Sequence, residues 1–339
     1  MRTATFSQNI EGIRSLWIHG KDVVPKDYAK KAGHSSYAFN SGINDPSAPN
    51  FKTWSHIYVP YCTGDLHWGD ADVEYQPGLL IKHRGAVNAG EAMNWMTKNI
   101  QKPKTVFVTG CSAGSYASVF WASKVASAYQ TSSPTTKVVQ FGDSGAGIVT
   151  ESFLKEAFMN WNSAKNFPWQ IVPANLQGDK SNQFLNNFTL PDFYRYGASH
   201  FSQHTYSQFN AAYDNNQAFF WLSMMNSHVR APSDPALVDK KLWSEQFRLQ
   251  WNGTTETSSV LNALPNYYSW IGWGDNHCIV PYNRYWDQII GDTTLSDWIS
   301  SLISSSTTIT SMDCRSGTET DPCEIGLEGD TFIDNDLKD

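Results

Sequence analysis

Ser112 is the residue of this chain with the clearest potential for covalent chemistry. It lies in Gly110-Cys-Ser-Ala-Gly114, a Gly-x-Ser-x-Gly motif that follows the β-branched apolar run Thr105–Thr109 and precedes a helical pattern of apolar residues. A strand, a sharp turn and a helix in this order form a nucleophile elbow, which presents a serine hydroxyl at a helix N-terminus. The flanking elements carry this prediction, because the bare motif also occurs by chance.

A serine hydroxyl becomes a useful nucleophile only when a general base takes its proton, and histidine is the usual base. The chain has nine histidines, so position must select among them. In proteins with such an elbow, the order along the chain is serine, then an acid, then a histidine after a late strand. His277 fits this order, because it follows the aromatic run Tyr267–Trp273. Three other histidines lie between the serine and this run, and we expect them to have structural or surface roles: His200, His204 and His228.

The acidic partner of the histidine is less well determined by pattern. Asp143 directly follows an apolar run, and Asp214 lies in Tyr213-Asp-Asn-Asn-Gln217. Asp143-Ser-Gly145 resembles the nucleophile segment of trypsin-like proteases, but those proteins are all-β and place their histidine before the serine. Pattern alone therefore leaves the two aspartates equally favoured.

Alternating strand and helix signals predict the elements that position these residues. Strand patterns occur at His56–Tyr61, which we expect to be buried, at Lys137–Phe141 and at Tyr267–Trp273, and a helical pattern covers Arg84–Ile100. Such alternation predicts an α/β fold, with a mainly parallel sheet that is covered by helices on both faces. Sites in these sheets lie at the carboxyl ends of the strands, where Ser112 falls.

The chain is expected to form one α/β-hydrolase-like domain over residues 1–303. The segment from about 150 to 262 is rich in aromatic and amide residues without clear strand alternation, so we interpret it as a mainly helical insertion that caps the sheet. Residues 304–339 form an acidic tail rich in Ser and Thr, in which Cys314 and Cys323 are near enough to close a small loop.

Composition excludes several classes of function. The chain has 339 residues and a formal net charge of −7, and its Lys and Arg residues form no cluster that could neutralise phosphates, so nucleic acid is not an expected partner. No apolar stretch is long enough to cross a bilayer, and the first 30 residues lack a signal-peptide apolar core. The five cysteines lack zinc spacing, and we expect no metal or other cofactor. Two glycosylation sequons, Asn187-Phe-Thr189 and Asn252-Gly-Thr254, favour secretion, and we expect a monomer.

The order of several motifs resembles one family, the pectin acetylesterases of plants and bacteria with the animal carboxylesterase Notum. The matching segments are Ser41–Trp54, Val59–Asp65, Arg84–Gly85, Gly110–Gly114, Asp143–Gly145, Tyr213–Gln217 and the residues around His277. The resemblance implies an α/β-hydrolase fold and a catalytic triad in which Ser112 is the nucleophile, Asp214 the acid and His277 the base. It thereby favours Asp214 over Asp143, and Asp143 and Ser144 are then expected to line the substrate pocket.

One feature of the family is not found in this sequence. The family has a Gly-Gly-Gly-Trp type segment at the end of an early strand, whose amides form part of the oxyanion hole. No two glycines are adjacent in this chain, and residues 1–40 contain nothing that aligns with that strand. We therefore expect either that the sequence begins after the early strand or that the hole is built differently. The amide of Ala113 is the one donor that the sequence identifies.

The function implied by the resemblance is a carboxylesterase that removes acyl groups, with acetyl as the favoured group, from a polysaccharide such as pectin in the cell wall or another extracellular location. Two alternatives remain at this stage. A carbohydrate-binding pseudoenzyme would use the 14 Trp and 15 Tyr residues to stack on sugars. A deacylase of lipid esters, similar to Notum, would need a deep apolar pocket.

Overall fold

The computed structural model describes residues 43, 51, 53–177, 185, 188–225, 240–252, 261, 263–304, 309–315 and 323. The expectations for residues 1–40, for His228, for most of the tail and for parts of both sequons lie outside these residues.

Five parallel strands form the central sheet. They are β3 (Thr105–Cys111), β4 (Lys137–Asp143), β5 (Thr205–Ala211), β6 (Tyr267–Gly272) and β9 (Met312–Asp313), and their order across the sheet is β3-β4-β5-β6-β9. Cys111 is in register with Asp143, which in turn is in register with Phe209. The carboxyl ends of β3 and β4 are therefore level, β5 extends two residues further to Ala211, and the loops that leave these strands start at the same edge of the sheet.

Helices cover both faces of this sheet, so the predicted fold class is confirmed. Along β4, Val138 and Val139 point to opposite faces and belong to separate apolar clusters, as the two-residue period of a strand requires. Helix α2 (Ala113–Ser132), the longest among the described residues, packs on one face, while α7 (Leu295–Ser304) packs on the other through Trp298 and its apolar neighbours. The seven α-helices of the described residues are α1 (Gly85–Asn99), α2 (Ala113–Ser132), α3 (Glu151–Asn160), α4 (Leu190–His200), α5 (Asn215–Met225), α6 (Lys240–Asn252) and α7 (Leu295–Ser304).

Two short hairpins lie beside the sheet. Strands β1 (Ala71–Gln76) and β2 (Leu79–His83) pair antiparallel and lead into α1, while β7 (Ile289–Ile290) and β8 (Thr293–Thr294) pair before α7. The buried carboxylate of Asp65 accepts the Gly85 amide at 2.7 Å, which anchors the N-terminus of α1 to the preceding loop.

The segment from 150 to 262 is mainly helical among its described residues, but it is not only an insertion that caps the sheet, because it contains β5. This strand reads Thr-Tyr-Ser-Gln-Phe-Asn-Ala and is buried along its whole length in the middle of the sheet. Buried polar side chains interrupt the apolar pattern, and they are satisfied by other buried groups. The hydroxyl of Ser207, for example, donates to the Gln140 carbonyl at 2.7 Å. Sequence patterns that rely on apolar alternation miss a strand of this kind.

Two other expectations about elements were wrong. Residues 56–61 form no strand within the described residues, and most of them are exposed instead of buried. The segment after residue 304 is not only a tail, because β9 pairs in parallel with β6, with Trp270 opposite Met312. A disulfide between Cys314 and Cys323 closes the small loop that the sequence predicted.

Candidate active site

Ser112 lies at the junction of β3 and α2, as the elbow pattern predicts. Its backbone has φ 57° and ψ −116°, a conformation that costs energy for a residue with a side chain. The Ser112 amide donates to the carbonyl of Asp143 at 2.8 Å, and the Ser112 carbonyl accepts the amide of Ser115 at 2.8 Å. The turn is thus held from β4 on one side and from the first turn of α2 on the other.

The two glycines of the elbow have different roles. A Cβ atom at Gly110 would lie 2.5 Å from the carbonyl oxygen of Gly114, so glycine is required where the end of β3 passes the start of α2. A Cβ atom at Gly114 would meet nothing within 4 Å. Close packing of strand and helix therefore depends on the first glycine and not on the second.

Asp214 and His277 lie side by side at the carboxyl edge of the sheet. Asp214 stands in the turn between β5 and α5, and His277 lies in the loop after β6. Nδ1 of His277 is 3.0 Å from each carboxylate oxygen of Asp214. Because a carboxylate can only accept, Nδ1 carries the hydrogen, which leaves Nε2 as the acceptor nitrogen. The Asp214 side chain has no exposed surface, whereas the imidazole is 15% exposed.

Gln217 fixes the orientation of the Asp214 carboxylate. Its backbone amide donates to Oδ1 at 2.9 Å and its Nε2 donates to Oδ2 at 2.9 Å. The Ala146 amide donates to Oε1 of Gln217 at 2.7 Å, so the side-chain amide cannot be reversed without opposing two donors. The same Nε2 donates to Asn210, whose amide donates to Gln208, whose amide donates to the hydroxyl of Tyr267. The chain of buried amides fixes the orientation of the Gln217 side chain, so that Gln217 presents hydrogen-bond donors to the carboxylate of Asp214.

A disulfide joins the loop of His277 to the elbow of Ser112. It links Cys111, which precedes the serine, to Cys278, which follows the histidine, with Cα atoms 5.5 Å apart. Sγ of Cys111, Sγ of Cys278 and a ring nitrogen of His277 all lie within 4.8 Å of one another. The structure therefore brings the three predicted residues Ser112, Asp214 and His277 to one place, although the serine and the histidine are 165 positions apart in the sequence.

Asp143 and Ser144 do not line an open pocket, contrary to the sequence-based expectation. Both are completely buried, and their side chains bond the backbone of the histidine loop. Oδ2 of Asp143 accepts the amides of Ile279 at 2.8 Å and Val280 at 2.9 Å, and the hydroxyl of Ser144 accepts the amide of Cys278 at 2.8 Å. Burial raises the pKa of Asp143 to about 6, although these amides favour its charged form. The two residues position the loop from β4.

Left-handed backbone conformations are concentrated at this edge of the sheet. Six residues other than glycine have a positive φ among those the structure describes, and three of them are Ser112, Ser144 and Cys278, with φ between 56° and 60°. Such conformations persist only where surrounding contacts hold them, and they cluster at functional sites. Here the contacts are the hydrogen bonds and the disulfide just described.

Ala113 is the first residue of α2. The first amides of a helix have no carbonyl partner within it, and the helix dipole adds positive potential at this end. The Ala113 amide therefore lies directly after the nucleophile, at the place in the elbow where we predicted an oxyanion donor. That role remains a prediction.

Two groups of side chains have the proximity of metal ligands, but their sulfurs are not thiolates. Cys111, His277 and Cys278 form one group, and Asp313, Cys314 and Cys323 form the other. All four of these cysteines are in disulfides, and metal sites require the thiolate form of cysteine. The described residues therefore give no support to a metal site at either place.

The other histidines that follow the serine do not join the site. His200 is exposed at the end of α4, and His204 is buried where its Nδ1 faces the Val138 amide at 3.4 Å. Burial lowers the pKa of His204 to about 4, which keeps it neutral. Sequence reasoning missed the amide chain and the disulfide. The one signal for the disulfide was that a cysteine adjoins both the predicted nucleophile and the predicted base.

A model of one protein family matches most of the chain. The family model described as PAE: Pectinacetylesterase matches residues 28–319, which include every residue of the site. No curated protein matches the chain. Among the described residues, no helix combines the length and apolar character needed to span a membrane.

Proposed function

Because this chain belongs to the pectinacetylesterase family, we propose that it is a serine esterase that removes acetyl groups from an extracellular polysaccharide such as pectin. Membership of the family supports a carboxylic ester hydrolase. The observation that carries the serine mechanism is the pairing of His277 with the buried Asp214 in a loop that is bonded to the elbow of Ser112. The acetyl group and the polysaccharide are inferred from the family.

The proposed reaction begins when the Ser112 oxygen attacks the ester carbonyl and its proton passes to Nε2 of His277. Asp214 holds the Nδ1 hydrogen and stabilises the imidazolium that forms. The imidazolium then gives its proton to the oxygen of the departing sugar alcohol, which leaves an acetyl group on the serine. A water molecule attacks this acyl-enzyme by the same route, so that acetate is released and the serine hydroxyl is restored.

Charge develops on the carbonyl oxygen in both tetrahedral intermediates. The Ala113 amide and the N-terminal end of α2 are the groups proposed to stabilise it, because preorganised donors aimed at an oxyanion contribute more than any other single effect in such reactions. This role of Ala113 requires no movement of the elbow. The turn is already held by the hydrogen bonds of Ser112 to Asp143 and Ser115.

An extracellular location is part of the proposal, and the two disulfides support it. Disulfides form and persist in oxidising compartments, and they are rare in the cytosol. Fractionation of producing cells, followed by detection of the protein with an antibody, tests the location. Detection in the cytosolic fraction alone would contradict this part of the proposal.

Replacement of the serine tests the activity. We expect Ser112→Ala to abolish turnover of p-nitrophenyl acetate and of acetylated pectin while leaving the circular dichroism spectrum unchanged. Ser132→Ala is the matched control, because it removes an exposed serine hydroxyl from the other end of the same helix. A fluorophosphonate should label Ser112 in the wild type. Full activity of Ser112→Ala, or labelling of another residue, would refute the proposed nucleophile.

The acyl group can be determined with the same assay. A series of p-nitrophenyl esters from acetate to palmitate should show the highest kcat/KM for acetate if the protein is an acetylesterase. A maximum at long chains would instead indicate a lipid deacylase. Binding of pectin without turnover of any ester would indicate a carbohydrate-binding pseudoenzyme.

A further inference from the structure

The loop that carries His277 must cross the edge of the sheet to reach Ser112. The loop leaves β6, the serine follows β3, and two strands lie between them. Neighbouring strands are about 4.8 Å apart, so the ends of β3 and β6 are separated by about 14 Å. The histidine therefore depends on contacts that hold its loop over the ends of β4 and β5.

Hydrogen bonds from the two intervening strands hold the loop over this gap. From the end of β4, Asp143 and Ser144 bind the amides of residues 278–280. From the turn after β5, Asp214 binds the imidazole. The Cys111–Cys278 disulfide completes the crossing, since it is the covalent link from the loop to β3 itself.

We propose that the Cys111–Cys278 disulfide is a positioning element that sets the distance between Ser112 and His277. This inference rests on the proposed function, in which these two residues exchange a proton. Each cysteine is the immediate neighbour of one of them, so the bond limits how far the serine and the histidine can separate. Cys278 is 2% exposed and has its amide bound to Ser144, which gives the bond a rigid anchor on the loop side.

Loss of the bond should reduce the rate more than it reduces substrate binding. A displacement of about 1 Å between reacting groups can cost about 100-fold in rate. The proton transfer between Ser112 and His277 is part of the transition state, so a change in their separation acts first on the chemical step. We therefore expect kcat to fall by about 100-fold and KM to change little when the bond is removed.

The test uses the full chain in a Cys62→Ala background, because Cys62 is exposed and free and could exchange with the disulfides. One variant adds Cys111→Ala and Cys278→Ala. The matched control adds Cys314→Ala and Cys323→Ala, and so removes the other disulfide. The first variant should show the fall in kcat and a matching fall in the rate of fluorophosphonate labelling of Ser112. The control should retain kcat.

A second measurement covers the case in which the first variant does not fold. Oxidised protein is treated with dithiothreitol, which gives two electrons and two protons to each disulfide and becomes a cyclic disulfide itself. The state of each cysteine pair is followed by mass spectrometry and compared with activity over time. Activity should fall in step with reduction of Cys111–Cys278, not of Cys314–Cys323, and should return on reoxidation.

The outcomes separate this inference from the proposed function. Full activity after loss of Cys111–Cys278 would overturn the positioning role alone, and so would an equal loss of activity in the Cys314/Cys323 control. Oxidised wild-type protein that neither hydrolyses an ester nor reacts with a fluorophosphonate would overturn the proposed function and this inference together.

Discussion

Replacing Asp214 with asparagine should disable the site in two measurable ways. The change keeps the size of the side chain, but one carboxylate oxygen becomes an NH₂ group. At Oδ1 that group would oppose the backbone amide of Gln217, and at Oδ2 it would oppose Nε2 of the same residue. Gln217 cannot turn its amide to adapt, because the Ala146 amide already donates to its Oε1. Either orientation therefore sets two hydrogen-bond donors against each other in a buried place.

The expected magnitudes follow from these contacts. A buried polar group that loses its partner costs about 1–3 kcal/mol, so the free energy of unfolding should fall by about this amount. Loss of the carboxylate also removes the charge and the acceptor that hold the histidine tautomer, which in a triad costs about 10⁴-fold in kcat. That factor corresponds to about 5 kcal/mol of transition-state stabilisation. The loss of activity should thus exceed what the loss of stability explains.

The assay compares kcat on p-nitrophenyl acetate with urea unfolding, at a temperature where every variant is folded. Asp292→Asn is the matched control, because Asp292 is an exposed aspartate in the turn between β7 and β8. The control should match the wild type in both measurements. A fall in kcat of less than tenfold for Asp214→Asn would refute the assignment of Asp214 as the acid of the triad.

A double variant tests the role of Gln217 directly. In Asp214→Asn/Gln217→Glu, the carboxylate introduced at position 217 can accept hydrogen bonds from the amide introduced at position 214 and from the backbone amide of Ala146. The side-chain amides of Asn210 and Gln208 must then reverse, so that each donor in the chain again faces an acceptor. Tyr267 can act as donor or acceptor, so it permits this reversal. Stability should recover towards the wild-type value, while kcat should stay well below it because the charge no longer contacts the histidine. A double variant that is less stable than Asp214→Asn would contradict the amide chain as described.

Packing and burial around the site lead to three further expectations. Gly110→Ala should lower the free energy of unfolding by about 1–3 kcal/mol, because the added Cβ would crowd the Gly114 carbonyl. Gly114→Ala should cause no such loss, because a Cβ there would meet nothing within 4 Å. Equal effects of the two changes in urea unfolding would refute this difference. Burial lowers the pKa of His67 to about 4, so at pH 5 the unfolded chain binds a proton there that the folded chain does not. His67 should therefore account for about 2 kcal/mol of the stability lost between pH 7 and pH 5, beside the shares of His83 and His204, whose pKa values burial also lowers to about 4. In urea unfolding, His67→Asn should lose about 2 kcal/mol less than the wild type over this range and His200→Asn should lose as much as the wild type; an equal loss in all three would contradict the burial of a neutral His67. Burial raises the pKa of Asp143 to about 6, so ionisation of this carboxyl costs stability as pH rises from 4 to 6. The free energy of unfolding of Asp143→Asn, relative to that of the wild type, should therefore rise by up to about 3 kcal/mol over that range and then level off. The kcat of Asp143→Asn should fall less than the kcat of Asp214→Asn.

Local features of this protein could be predicted from the sequence because a few neighbouring residues determine them. The strand, turn and helix around Ser112 follow from an apolar β-branched run, a glycine that permits close packing, and a helical pattern. The alternation of strands and helices was sufficient for the fold class. His277 could be selected by its place after an aromatic strand, since the order of elements along the chain limits which loops reach the same edge.

Other features depended on contacts between distant parts of the chain. Pattern left Asp143 and Asp214 equal, and only the resemblance to a family favoured the second. The structure separates them by their partners, because Asp214 contacts the imidazole whereas Asp143 binds the backbone of the same loop. Strand β5 was missed since its buried polar groups find partners on other elements, which no local pattern records.

The pairing of Cys111 with Cys278 shows the same difference between local features, which the sequence predicts, and contacts between distant parts of the chain. Both cysteines were visible beside the predicted nucleophile and base, yet 167 positions separate them, and the sequence contains no measure of the distance between their loops. That distance is set by the order of strands across the sheet and by the side chains that hold the histidine loop over the ends of β4 and β5. The sequence determined which residues could react, and the tertiary structure decided which of them meet, because backbone preferences act over a few residues whereas burial and hydrogen bonding act between whole elements.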